Sequence, residues 1–207
     1  MNAAIGTRET SLRMVGARIA TLDAAPCSGD IVVDAAGDRF LPGLINAHDH
    51  LQLNNFPRLK YREAHADVGE WIADIDARRT TDRAIAEPAS LSRASRLLVG
   101  GIKNILSGVT TVAHHDRFDP LLDAAGFPCR VLAEYGWSHS LGLDGDEAVR
   151  ASYRATPRKI PWFIHAGEGL SAAARDEFAR LDRLGCVGPN TRLIHGVAFS
   201  VEQRARL

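Results

Sequence analysis

The sequence predicts an α/β fold with a parallel sheet, preceded by a small β segment, and three observations carry that reading. From residue 44 onward, strand-like and helix-like stretches alternate, the pattern of a parallel sheet crossed over by helices. Three of those strands finish in histidine: His48 with His50, then His165, then His195. Parallel α/β folds keep their chemistry at the carboxyl ends of strands. The opening 40 residues are short β-rich pieces separated by turns, too little for an independent sheet domain.

In chain order, Leu12, Met14 and Val15, then Ile19 and Ala20, predict short strands before a polar break at 23–30. Ile31 to Val33 predict another, closed by the turn Ala36-Gly37-Asp38. A domain boundary falls at 40/41, giving 1–40 as the β-rich segment and 41–207 as the α/β body. The turn signal Pro42-Gly43 opens an apolar run that ends in the polar cluster at 48–50, as a buried parallel strand does. Residues 52–87, with Phe56, Tyr61, His65 and Trp71, lack strong periodicity and predict a functional loop or lid. Ser90 then caps a helix with Leu91, Ala94, Leu98, Ile102 and Ile105 on one face, closed by Gly108. Strands follow at 109–115 and 128–137, with a short helix between them at 119–125. A helix over 146–155 stops before Pro157. A strand at 161–165 leads to a helix capped by Ser171, with Ala174, Phe178 and Leu181 inward, and then to a strand at 191–196. Ser200 and Gln203 form a capping box, yet the helix it opens has only four residues left before Leu207. The sequence reads as cut short, a fragment of a longer enzyme.

Composition narrows the function. Apolar residues make up 45% and charged residues 24% of 207, ordinary for a globular chain and against disorder. Lys plus Arg (25) balances Asp plus Glu (25), so no overall field favours nucleic acid or an anionic membrane. No apolar run approaches the roughly 18 residues that span a bilayer, and the first residues do not form a secretory signal. Three widely spaced cysteines read as thiols in a reducing compartment. The expectation is a cytoplasmic protein with a small-molecule substrate and no nucleic-acid or membrane partner.

Side chains two apart on a strand point the same way, so His48 and His50 can reach one divalent ion together, zinc first and iron second. His165 occupies the matching place on its own strand. Glu168 lies three residues further on. A carboxylate there can take a proton from water and pass it to a leaving nitrogen.

These residues carry a resemblance. PGLINAHDH (42–50) resembles the first-strand signature of the amidohydrolase superfamily. HAGE (165–168) is similar to the fifth-strand motif of its deaminase branch, IHG (194–196) to the sixth-strand histidine, and SGVTTV (107–112) to the second-strand stretch. The resemblance implies a partial (β/α) TIM-type barrel of the amidohydrolase kind, with the opening segment as part of a β-sandwich. It further implies that His48, His50 and His165 ligate one metal ion, that Glu168 shuttles protons, and that His195 orients or polarises the attacking water. The aspartate that family members carry at the eighth strand has no counterpart here, and one barrel strand is hard to place. A closed eight-stranded barrel typically takes about 250 residues.

Of His114 and His115, one is expected to face the site; His115, Trp137 and His139 are the candidates for substrate contact. Trp71 and Tyr135 join them either as pocket lining or as loop anchors. GWSHS (136–140) differs from a nucleophile elbow by ending in Ser140 instead of glycine. Two functions compete. One is a metal-dependent hydrolase of non-peptide carbon–nitrogen bonds, deaminating an amino-substituted heterocycle or related amidine. The other is an inactive remnant serving as a metal-binding or subunit-forming module, with uncovered strand edges that favour homo-oligomers.

Overall fold

The computed structural model describes residues 3–5, 8–16 and 18–207. The chain divides into two compact units, Met1–Gly43 and Leu44–Leu207. The first holds two antiparallel pairs: β1 (Ala3–Ile5) with β2 (Arg8–Thr10), and β3 (Leu12–Val15) with β4 (Arg18–Leu22). The strand expected at Ile31 to Val33 does not form, and those residues are exposed. Three β-branched residues favour a strand only where an edge is offered to pair with.

The second unit contains β5 (Leu44–Asp49), β6 (Val109–His114), β7 (Arg130–Val131), β8 (Gly136–Ser140), β9 (Trp162–Ala166) and β10 (Thr191–His195). They form two parallel three-stranded sheets, β5-β6-β7 and β8-β9-β10. Among the described residues neither sheet closes into a barrel. The single strand expected over 128–137 is in fact two, β7 and β8, separated by the link 132–135. That split supplies the strand that was hard to place. β9 is buried along its whole length, whereas Leu44 and Ile45 at the start of β5 are exposed. β5 is an edge strand paired with β6 alone, so its apolar start lacks the expected cover.

The helices are α1 (Val68–Asp76), α2 (Arg83–Ser90), α3 (Arg93–Leu106), α4 (Leu141–Asp144), α5 (Asp146–Ala155), α6 (Ala172–Arg183) and α7 (Val201–Arg204). The excursion at 52–87 therefore contains helices: Asp67 and Asp82 accept backbone N–H groups at their N-termini. Ser92, not Ser90, caps α3. The buried face of α3 is also not the expected one. Leu97, Gly100, Gly101 and Asn104 pack inward, while Leu98, Ile102 and Ile105 stay exposed. Backbone approach decides this. A Cβ on Gly100 would lie 2.8 Å from the Leu51 Cα and closer still to its carbonyl oxygen, so α3 presses directly on the segment after His50. Gly100→Ala is therefore expected to destabilise the chain by about 1–3 kcal/mol through overpacking. A lowered urea midpoint checks it; an unchanged midpoint contradicts it. As expected, α5 spans Asp146–Ala155 and Ser171 caps α6, with Ala174, Phe178 and Leu181 buried. Two apolar clusters result, one around Trp162, Ile164 and Phe178, the other around Leu51, Leu97 and Val112. No described helix is long and apolar enough to cross a membrane.

Candidate metal centre

β5, β6, β9 and β10 bring histidines together at their carboxyl ends. His50 Nε2 lies 3.1 Å from His165 Nε2, and His165 Nε2 lies 3.2 Å from His48 Nε2. A tetrahedral ion bound at 2.0–2.1 Å separates its nitrogens by about 3.3–3.4 Å. These two separations fall slightly inside that figure, close enough for the nitrogens to share one ion. The His165 Nδ1–H donates to the His139 carbonyl at 2.8 Å, which leaves Nε2 as a bare electron pair aimed at the centre. His48, His50, His115 and His165 form a group compatible with a metal ion.

Asp49, between the two β5 histidines, faces away from the tripod. Its carboxylate accepts from the amides of Asn46 (3.2 Å), Asn54 (2.7 Å) and Asn104 (2.7 Å). The motif residues Asn46 and Asp49 thus lock the strand end, leaving the flanking imidazoles oriented.

Burial keeps the cluster neutral. It pushes His48 down from 6.5 to about 4, His50 to about 2, His115 to about 4 and His165 to about 3, with the neighbouring imidazoles adding to the effect. Neutral imidazoles are what a cation needs as ligands. The same shifts set a pH response. Unfolded histidines take up protons below about 6.5 while the buried ones refuse them to lower pH, so the unfolded state holds more protons in that window. The metal-free chain is expected to lose stability as pH falls from 6.5 through about 4. Urea midpoints at about pH 7.5 and about pH 5 test it, and an equal or higher midpoint at the lower pH contradicts it.

Glu168 Oε1 lies 3.3 Å from His195 Nε2. Burial raises the Glu168 carboxyl above the ordinary carboxylate range and lowers His195 below the ordinary imidazole. His195 has φ +78°, a left-handed conformation that a non-glycine residue adopts only when its surroundings impose it. Its ring stacks on His165 with centroids 5.3 Å apart. The turn carrying Glu168 needs Gly167, whose φ is +66° and whose absent Cβ would meet the Phe199 ring at 2.7 Å. The Gly167 N–H donates to Glu177 Oε2 at 2.7 Å. Glu177 escaped the sequence reading, although a carboxylate beside Phe178 on the inward stripe of α6 was its signal. Across the turn, the Val68 N–H donates to the Glu168 carbonyl (3.2 Å) and the Leu170 N–H to the Ala66 carbonyl (2.8 Å).

Of the other candidates, His115 is the histidine that faces the tripod, while His114 faces away and accepts from the Leu51 N–H at 3.4 Å. The Trp137 ring lies edge-on to His115, centroids 5.9 Å apart. His139 lies 4.8 Å from the His165 ring and, with Glu168, Ile72 and Leu143, lines a cavity of about 280 Å³. Tyr135 and Trp71 are anchored: the Tyr135 hydroxyl donates to the Asp116 carbonyl (2.7 Å) and the Trp71 indole N–H to the Leu59 carbonyl (2.9 Å).

No protein-family model matches the chain, and neither does any curated protein. Among solved structures it is similar to a mutant of atrazine chlorohydrolase TrzN from Arthrobacter aurescens TC1, complexed with zinc and atraton. The TM-score is 0.62 at 15% sequence identity. At that identity the likeness is one of fold. The match covers 96% of this chain and 58% of that one, so the chain spans less than two thirds of the chlorohydrolase structure it resembles.

Proposed function

We propose that this chain forms the metal-binding part of a hydrolase acting on non-peptide carbon–nitrogen bonds, by deamination of an amino-substituted heterocycle or related amidine. The observation that carries the reading is the tripod of His48, His50 and His165 with Glu168 and His195 beside it. His48, His50 and His165 would hold one divalent ion, zinc first and iron second; the matched structure is itself complexed with zinc. The ion, when bound, supplies Lewis-acid chemistry that makes water a nucleophile at neutral pH.

The remaining steps belong to the chain's own residues. Glu168 accepts a proton from the attacking water and returns it to the leaving nitrogen, a task suited to a carboxyl whose pKa is raised toward the working pH. His195, 3.3 Å from Glu168, orients the nucleophile. A carbon–oxygen bond forms, the carbon–nitrogen bond breaks, and the nitrogen leaves as ammonia. The cavity of about 280 Å³ lies at the small end of ligand pockets and suits a single ring; His139, which lines it, is proposed as a substrate contact, whereas His115 is buried with both ring nitrogens engaged. A cytoplasmic location remains part of this proposal.

The test is turnover of single-ring amino-heterocycles, triazines included, by the zinc-loaded protein that carries this chain. Ammonia release that disappears on chelation supports the reading. Chloride release from chlorinated rings with no ammonia from amino rings would favour the neighbour's chemistry, and a loaded but inert protein would favour a binding module.

A further inference from the structure

His115 lies 1% exposed at the end of β6, within reach of the tripod but with both ring nitrogens already committed. Its Nε2 is 2.9 Å from the Ser138 carbonyl oxygen. A carbonyl only accepts, so Nε2 carries the hydrogen. A neutral imidazole has one N–H; the His115 Nδ1 is therefore bare. That bare nitrogen sits 3.2 Å from His48 Nδ1. Two bare nitrogens at that distance repel, so the hydrogen between them belongs to His48. His48 Nε2 is then bare in turn, and it is the atom that faces His165 Nε2 at 3.2 Å.

We infer that His115 is a positioning residue: it fixes His48 in the Nδ1–H tautomer, presenting Nε2 to the metal, and is not itself a ligand. The source of the order is β8. Its ladder with β9 loses register between Trp137 and Ser140. The carbonyls of Ser138 and His139 are thereby left for imidazoles instead of a neighbouring strand. The His139 carbonyl sets His165 directly. The Ser138 carbonyl sets His48 through His115. One irregular strand thus aligns two of the three proposed ligands. The His115 ring also stacks on His165, centroids 4.2 Å apart and planes 4° from parallel, which holds the relay in line.

The inference rests on the metal site proposed above, though not on its hydrolytic chemistry. Two measurements on the full 207-residue chain test it. In the first, zinc affinity is read by chelator competition for wild type, His115→Phe and His115→Asn. Phenylalanine keeps the stacked ring and removes the acceptor, and is expected to weaken zinc about 10- to 100-fold. Asparagine offers Oδ1 near the place of Nδ1 and is expected to restore most of that loss. In the second, long-range ¹H–¹⁵N spectra of the wild type report each tautomer. His48 is expected as Nδ1–H and His115 as Nε2–H without metal, and zinc is expected to shift His48 Nε2 but leave His115 Nδ1 unbound. A His115 Nδ1 that takes the metal-bound shift, a His48 in the Nε2–H form, or a His115→Phe variant with wild-type affinity overturns the assignment. If the wild type takes up no zinc, the metal reading fails, while the tautomers of the metal-free chain still decide this one.

Discussion

Glu168→Gln is expected to keep its zinc and lose about 10²- to 10⁴-fold in turnover, the usual contribution of general acid–base catalysis. The substitution preserves the size of the side chain and its contact distance to His195, 3.3 Å in the native chain. An amide cannot accept a proton from water and return it to a departing nitrogen. Burial raises the native carboxyl above its ordinary value, the direction that favours its holding a proton between the two transfers. Steady-state rates and metal content are read together on the protein that carries this chain. A variant that stays active reduces Glu168 to a solvated carboxylate. His195→Ala, read in the same way, is expected to slow turnover and spare most of the metal, because His195 stands beside Glu168 and outside the tripod. Loss of zinc from that variant means the ligand set is different.

His165→Ala is expected to remove metal and activity together. His165 is the vertex of the tripod, 3.1 Å from His50 and 3.2 Å from His48 through the same Nε2. Without it two imidazoles remain, too few to fill the inner positions of a tetrahedral ion, and the variant is expected to retain less than about 0.1 zinc per chain after desalting. Its ring also stacks on His115 and His195, so circular dichroism is needed to separate loss of a ligand from loss of fold. A folded variant with full zinc content contradicts the assignment.

The readable parts of the sequence were local. His48 and His50 sit two apart on a strand, Glu168 follows His165 by three residues, and Ser171 precedes an apolar stripe that α6 buries. Each is fixed by neighbours along the chain. What escaped depends on contacts from far away. The apolar residues Leu98, Ile102 and Ile105 looked like the inner face of α3, but Gly100 allows the opposite side to meet Leu51, and close backbone approach outranks the stripe. After Pro128, which opens the run, residues 129–137 hold no proline and no turn pair, so the break between β7 and β8 left no local mark. The helices within 52–87 did have caps in Asp67 and Asp82; weak periodicity hid them. His115 was legible as a residue near the site, but its hydrogen-bond state follows from a carbonyl on β8, which no spacing along β6 reveals.

Three histidine Nε2 atoms, from His48, His50 and His165, are proposed to hold one divalent ion. X-ray absorption at the zinc edge of the zinc-loaded chain addresses it most directly. One zinc with three imidazole nitrogens at about 2.0–2.1 Å and oxygen in the rest of its shell is expected. A fourth imidazole, a sulfur ligand, or a shell unchanged in the His48→Ala/His50→Ala double variant would contradict it.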